Sequence, residues 1–315
     1  MNKYQNTSRV LVLGFQLLIF LLFGAFGCYY GFFAVPAYLT SNPTINGIVS
    51  SGYAYNLFLE LGVIGLTEMT IAIYGILQGL KAIREPNNDT PVRNGFTAFI
   101  VQGYLAAVFF FLNAFVFFDL VKGTNLVFVI VMAIILTIVL MIATNIPMVR
   151  LYDNEDQKPL LAGMTFGFGI AGAWLAILSA LTLICSFTVD SQAFYSQMRI
   201  LLLIGAIGGL AIALLLGFAG RLLLKGKKES ASKAAGYLSS GALGVSGIIF
   251  LAMGILDIVW KDNLCHFNSA NKSFDYGYPF PIMAIILGAL LIVGATAFSV
   301  LSSRDTSAKA TNHKA

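Results

Sequence analysis

Apolar runs of about twenty residues recur along the whole of this 315-residue chain, and no other feature constrains its fold as much. At a rise of 1.5 Å per residue, such a run is what an α-helix needs to cross the hydrocarbon core of a bilayer. That core has no water for the backbone, so a spanning segment must satisfy its own N–H and C=O groups by coiling into a helix. Read this way, the chain holds eight spans, at about 10–35, 57–80, 96–118, 126–148, 160–187, 200–224, 237–260 and 280–301. Composition agrees: 58% of the residues are hydrophobic and 10% are charged, where a soluble domain carries roughly 25% charged residues. The expected fold is an all-α polytopic membrane protein. The gaps between spans are too short for a soluble catalytic domain, so any site has to be built from helices and short loops.

The basic residues set the expected orientation. Lys3, Arg9, Lys81, Arg84, Arg93, Arg150, Lys158, Arg221, Lys225, Lys227, Lys228, Lys233, Arg304, Lys309 and Lys314 all fall on one side of an eight-span arrangement. Lys122, Arg199, Lys261 and Lys272 fall on the other. The excess marks the cytoplasmic face and predicts a multi-pass protein of the cell membrane with both termini in the cytoplasm. The net charge of +5 then reports topology rather than nucleic-acid binding, and the expected surroundings are the lipid bilayer. The apolar run after Arg9 continues past the usual length of a cleaved leader, so an uncleaved first helix is expected. Phe26-Gly27-Cys28 is a poor lipoprotein site because Phe26 is bulky and apolar sequence continues beyond it. The three cysteines have no metal-ligand spacing; Cys185 and Cys265 fall on the outer side, either as a disulfide or as separate thiols.

The halves of the chain resemble each other. Met132-Ala133-Ile134-Ile135-Leu136 recurs as Met283-Ala284-Ile285-Ile286-Leu287, and each is followed, at a distance matching to within a residue, by an Ala-Thr pair. Asp119-Leu120-Val121 closes the third span as Asp257-Ile258-Val259 closes the seventh, and Gly62-Val63-Ile64-Gly65 has Gly205-Ala206-Ile207-Gly208 opposite it. Three short motifs in one order predict two tandem four-helix halves of the same orientation, 1–155 and 156–302, followed by a polar cytoplasmic tail, 303–315. Gly205, Gly209, Ala213 and Gly217 recur every four residues as one smooth stripe, which lets two backbones approach where lipid gives no hydrophobic reason to associate. Internal packing is the expected use of the stripe; a seam with a second copy of the chain or another membrane protein is the alternative. Gly163 with Gly167, and Ser240 with Gly244, predict similar contacts.

One residue breaks the apolar pattern. Glu68 sits near the middle of the second span, and a carboxyl at membrane depth usually faces a protein interior or a water-filled path. Glu60 lies eight residues before it, about 12 Å along the helix and about 80° around it, so both can line one side. Thr67 and Thr70 flank Glu68 with hydroxyls, and Asn113 in the third span joins the list of pathway candidates. Gln16, Gln78 and Gln102 are further polar groups suited to interhelical hydrogen bonds. No basic residue lies at this depth, so a neutral carboxyl is expected. The corresponding stretch of the sixth span has Leu203 and Ala211, which would make half one the working side and half two a glycine-packed scaffold.

These residues point to transport of a small solute or ion, with Glu68 as a proton- or cation-exchanging carboxyl. The alternative is a non-catalytic scaffold or assembly partner without a pathway. A transporter should expose Glu68 to a water-filled cavity, whereas a scaffold should bury it against a hydrogen-bond partner; a Glu68 facing lipid or sealed in dry packing would sink the transport reading. Enzyme chemistry lacks support: the histidines are His266 in an outer loop and His313 in the tail, and Asp262, Cys265 and His266 lack an orienting arrangement. No metal or cofactor motif is present. An outer face with Glu60, Asp119, Asp190, Asp257, Asp262 and Asp275 against four basic groups is mildly acidic and suits cations. Arg199 could instead pair with Glu60. The uncharged loop 36–56, with Tyr38, Tyr53 and Tyr55, suits a membrane-surface segment or a lid.

Overall fold

The computed structural model describes residues 3–29, 32, 52–120, 131–132, 134–135, 138–139, 142, 158–188, 196–225, 229–259, 267–268, 273–274 and 279–312. It is helical apart from one small hairpin. Helix α1 (Lys3–Ile19) continues through a π-helical stretch, Phe20–Ala25, into the short α2 (Phe26–Tyr29). Then come α3 (Gly52–Arg84), α4 (Thr90–Leu120), α5 (Lys158–Thr188), α6 (Ser196–Lys225), α7 (Glu229–Val259) and α8 (Pro279–Asn312). Between α7 and α8, β1 (Phe267–Asn268) pairs antiparallel with β2 (Ser273–Phe274), Phe267 opposite Phe274. Residues 131, 132, 134, 135, 138, 139 and 142 of the fourth apolar run are helical, and their side chains are exposed.

Several helices outrun their apolar cores. The second was expected over 57–80 and runs from Gly52 to Arg84, because the last turn carries Lys81 and Arg84, whose charges suit the negative end of the helix dipole. Pro86 supplies no N–H and ends it. The next helix is capped by the same turn: Asn88 Oδ1 accepts from Thr90 N at 3.1 Å, Arg93 N donates to Asp89 O at 3.0 Å, and Pro91 sits in the first turn. Residues 303–312, read as a tail, continue α8.

Five stretches among the described residues are long and apolar enough to cross a membrane: Arg9–Tyr29, Gly62–Arg84, Leu161–Phe187, Arg199–Lys225 and Ser230–Leu256; Ala284–Val300 is a shorter apolar helix. Their outer faces are as apolar as a protein core. On α6, Ile200, Leu203, Ile207, Leu210, Leu214 and Phe218 form an exposed stripe at helical spacing, with Ile207 63% exposed. Water would not tolerate so continuous a patch, and lipid does. The inward faces mix small residues, where backbones approach closely, with branched side chains such as Ile71, Ile100, Val101 and Leu105.

The chain divides into two compact units, Met1–Gly167 and Phe168–Ala315, and the division falls inside α5. The expected boundary at 155/156 lies outside the described residues. In the first unit, a Cβ built on Gly65 would lie 2.7 Å from Cys28 N, and one on Gly24 would lie 2.9 Å from Met69 Cβ. Gly75 is filled by Gln16, Gly79 faces Leu13, and Gly163 and Gly167 receive Thr97 and Val101 of α4. The first unit is therefore glycine-packed as well, so close packing does not mark out the second as the scaffold. The first unit's close-contact glycines are spread over the first span, α3, α4 (Gly95 against Val12) and α5, and form no single stripe in the sequence.

In the second unit, a Cβ on Gly209 would lie 2.7 Å from both Ala176 N and Gly172 O, and one on Gly172 would lie 3.0 Å from Ala213 N. Gly205 faces Ser179, and a Cβ on Gly169 would lie 3.6 Å from Gly217 N. Gly217 itself has open space where a side chain would go. Helices α7 and α8 meet at Gly247 and Gly288, a pair the sequence reading did not single out, with Ser240 Oγ donating to Ala295 O farther along the seam.

Candidate functional site

The helices of the first unit bring Glu68 into a layer of polar side chains. Gln16 on α1, Gln102 on α4, and Thr67 and Glu68 on α3 are all buried. Gly75 makes this possible, because any side chain there would occupy the space of the Gln16 amide. Gln16 Nε2 donates to Gly95 O at 3.3 Å. In one amide orientation, Gln102 Nε2 donates to Glu68 O at 3.3 Å. Turned over, Gln102 satisfies more groups: its nitrogen donates to Gln16 Oε1 at 2.9 Å and Ala98 O at 3.2 Å, and its oxygen accepts from Ala72 N at 3.2 Å. The turned form gives a continuous chain from the α3 backbone through Gln102 and Gln16 to Gly95, and for that reason it is the better account. Each interhelical bond of this kind contributes about 1 kcal/mol in a membrane.

Glu68 stands beside this clasp without joining it. Its side chain is 1% exposed, and among the described residues neither carboxyl oxygen has a hydrogen-bond partner. Thr67 Oγ1 donates back to Val63 O and Thr70 Oγ1 to Leu66 O, both at 2.7 Å, so each directs its proton into its own helix. The π-helical stretch passes at this level, since Gln16 packs on Gly75 before it and Gly24 packs on Met69 within it. A π turn replaces i→i−4 bonds with wider i→i−5 bonds and commonly marks a functional position in a helix. The carboxyl is sealed from solvent, which counts against an open transport path, and among the described residues it has no hydrogen-bond partner.

The other sequence candidates are placed unevenly. Glu60 lies on the same unbroken helix as Glu68, which preserves the eight-residue spacing, and Asn113 lies on α4. The side chains of both are outside the described residues, as are Asp262, Cys265, His266, His313 and the loop 36–51. Cys185 is exposed near the end of α5. Arg199 donates to Ser186 O at 2.7 Å and lies 4.7 Å over the Phe187 ring, so it caps the α5 C-terminus. Arg9, read as a topology charge, is buried and bonds to Pro86 O and, at 3.4 Å, to Asp89 Oδ1. It pins the first span to the α3–α4 turn. Among the described residues no three His, Cys, Asp or Glu side chains come together as a metal site.

The apolar outer faces and the five bilayer-length helices define an integral, multi-pass α-helical membrane protein. Comparison with family models, curated proteins and solved structures returned no match for the chain.

Proposed function

We propose that this protein moves a small solute or ion across the cell membrane, with Glu68 as its proton- or cation-exchanging carboxyl. The observation that supports the reading is a carboxyl at membrane depth with no hydrogen-bond partner among the described residues, while its sealing in this structure counts against an open path. A purely structural position would favour an apolar residue such as Leu, because a buried polar group without a partner destabilises by about 1–3 kcal/mol. A carboxyl that exchanges a proton needs a second environment, and in this reading the structure is the closed one. Its burial is also what favours the alternative, a scaffold without a pathway, and the experiment below separates the two. Glu60 and Asn113 belong to the proposed path as outer and neighbouring groups, with Thr67 on its wall.

The reading includes eight spans in two tandem halves, both termini in the cytoplasm, and no enzymatic activity. The reading of a duplication rests on the shared sequence motifs; the seams of the two units are alike in kind but put Gly65 in register with Gly209, one residue from the Gly208 that the motif matches to it. In the first unit Gly24 meets Met69 and Gly65 meets Cys28; in the second Gly172 meets Ala213 and Gly209 meets Ala176, with the same four-residue steps. The turn of α6 that answers to Glu68, at Ala211 and Ile212, is apolar, so the carboxyl belongs to one half only. Gly205, Gly209 and Ala213 serve packing within the second unit in this reading. A lateral partner, a second copy or another membrane protein, would use the outer faces.

The test is charge displacement after a pH jump, recorded on the purified protein in liposomes adsorbed to a solid-supported membrane. A transient current in wild type that disappears in Glu68→Gln supports the reading. No current in wild type, or an unchanged current in Glu68→Gln, favours the scaffold and sinks the pathway.

A further inference from the structure

We infer that Glu68 is a single-proton site whose deprotonation opens the seam between α3 and the first span on the outer side of Gln16, so that proton release and opening are one event. The inference rests on the reading of Glu68 as an exchanging carboxyl and adds what it binds and which seam moves. A bare carboxylate sealed in a low-dielectric packing without hydrogen-bond donors is far too unfavourable to persist. The carboxyl therefore stays neutral while it is sealed, and it ionises only when donors or water reach it. The neighbouring polar groups cannot supply those donors in place, since Gln16 and Gln102 bond each other and the backbone while Thr67 bonds Val63 O. A divalent ion needs about six oxygen ligands, and the described surroundings offer one carboxyl with neighbours already committed.

The seam that gives way is set by the packing. On the α4 side, Gln102 reaches the α3 backbone one turn beyond Glu68, at Ala72 N. Toward the inner end, the first span is held by Gln16 on Gly95 O and by Arg9 on the α3–α4 turn. On the outer side of Gln16 the contacts are of another kind: Gly24 against Met69 and Gly65 against the Gly27–Cys28 backbone, next to the π-helical stretch. These are van der Waals contacts of small residues, unlike the side-chain hydrogen bonds that hold the inner end and the α4 side, and the π turn beside them is a helix geometry that commonly accompanies function. The charged or titratable groups nearest Glu68 along the elements around it are Cys28 and Tyr29 on α2, Tyr104 on α4, and Tyr74 and Glu60 on α3; Lys3 and Tyr4 on α1, Tyr53, Tyr55, Lys81 and Arg84 on α3 and Asp119 on α4 lie toward the helix ends. Arg9 and Arg93 lie at the inner ends of α1 and α4, and Gly163 and Gly167 of α5 carry no charge. None of these bonds the Glu68 carboxyl among the described residues.

Cys28 reports on the seam because it packs on Gly65, one turn from Glu68. With Cys185 and Cys265 replaced by Ser in the full chain in liposomes, its rate of modification by a small water-soluble methanethiosulfonate is measured from pH 5 to 9. The same is done in that background carrying Glu68→Gln, which mimics the neutral form. Dividing the two rates removes the ordinary pH dependence of the thiol. One linked proton changes an opening equilibrium by at most about tenfold per pH unit, so the ratio should rise with pH toward that slope.

Gly65→Ala, whose Cβ would lie 2.7 Å from Cys28 N, forces the seam apart and should raise modification at every pH. A flat ratio overturns the inference, and so does Gly65→Ala leaving modification unchanged, since the seam would then not be the one described. A ratio that follows sodium rather than pH assigns a cation instead and also overturns it. A flat ratio beside a Glu68-dependent pH-jump current removes the seam opening and leaves transport standing; a rising ratio without any current does the reverse.

Discussion

Gly209 and Gly217 look equivalent in sequence, as members of one four-residue stripe on α6, and the structure makes them opposites. A methyl on Gly209 would lie 2.7 Å from Ala176 N, 2.7 Å from Gly172 O and 3.1 Å from Ala176 Cα, all of them groups of the facing α5. Ordinary contact begins near 3.4 Å, so the helices must separate by several tenths of an ångström, and every partner is backbone or rigidly attached to it. Separation on that scale forfeits a quarter to a half of the dispersion energy along the seam. Overpacking of this kind typically destabilises by about 1–3 kcal/mol. A methyl on Gly217 meets nothing within 4 Å. There the expected change is within about 0.5 kcal/mol, the usual range for a substitution that disturbs no contact.

The assay is reversible unfolding in mixed detergent micelles, followed through Trp174, which lies on α5 two residues from Gly172. Gly209→Ala should lower the midpoint clearly and Gly217→Ala should not. Equal effects from the two would refute close backbone approach as the basis of this seam.

Ser179 is fully buried, and its Oγ has no partner among the described residues, so Ser179→Ala should leave stability unchanged or raise it by up to about 1 kcal/mol in the same unfolding assay. Arg9→Ala removes a buried charged donor from Pro86 O and should destabilise by about 1.5–3 kcal/mol. Asp89→Asn should change stability by less than about 0.5 kcal/mol, because Asp89 is 74% exposed and a solvated ion pair contributes little. Similar effects at both positions would show that the ion pair, and not the Pro86 carbonyl, holds the first span.

The class of the protein was legible because a bilayer imposes a one-dimensional rule. Each spanning helix must be apolar over about twenty residues whatever it packs against, and composition and run length record that without reference to partners. Glu68 stood out for the same reason: a carboxyl in such a run is anomalous before any neighbour is known. Gly205, Gly209 and Ala213 were readable because a single helix shows its own periodicity. What sequence could not supply was the partner of each group. Gln16 and Gln102 were read as separate interhelical donors, but their junction depends on Gly75, a third residue on a third helix, leaving room for an amide. Arg9 was read as a topology charge, and its burial against Pro86 follows from where a turn 77 residues away comes to lie. Whether Glu68 is wet, paired or sealed is likewise a property of three helices at once. Sequence determined that a carboxyl sits at membrane depth. The tertiary structure decided that it is closed off there and, among the described residues, left without a partner, because hydrogen-bond satisfaction is set by which side chains converge in space.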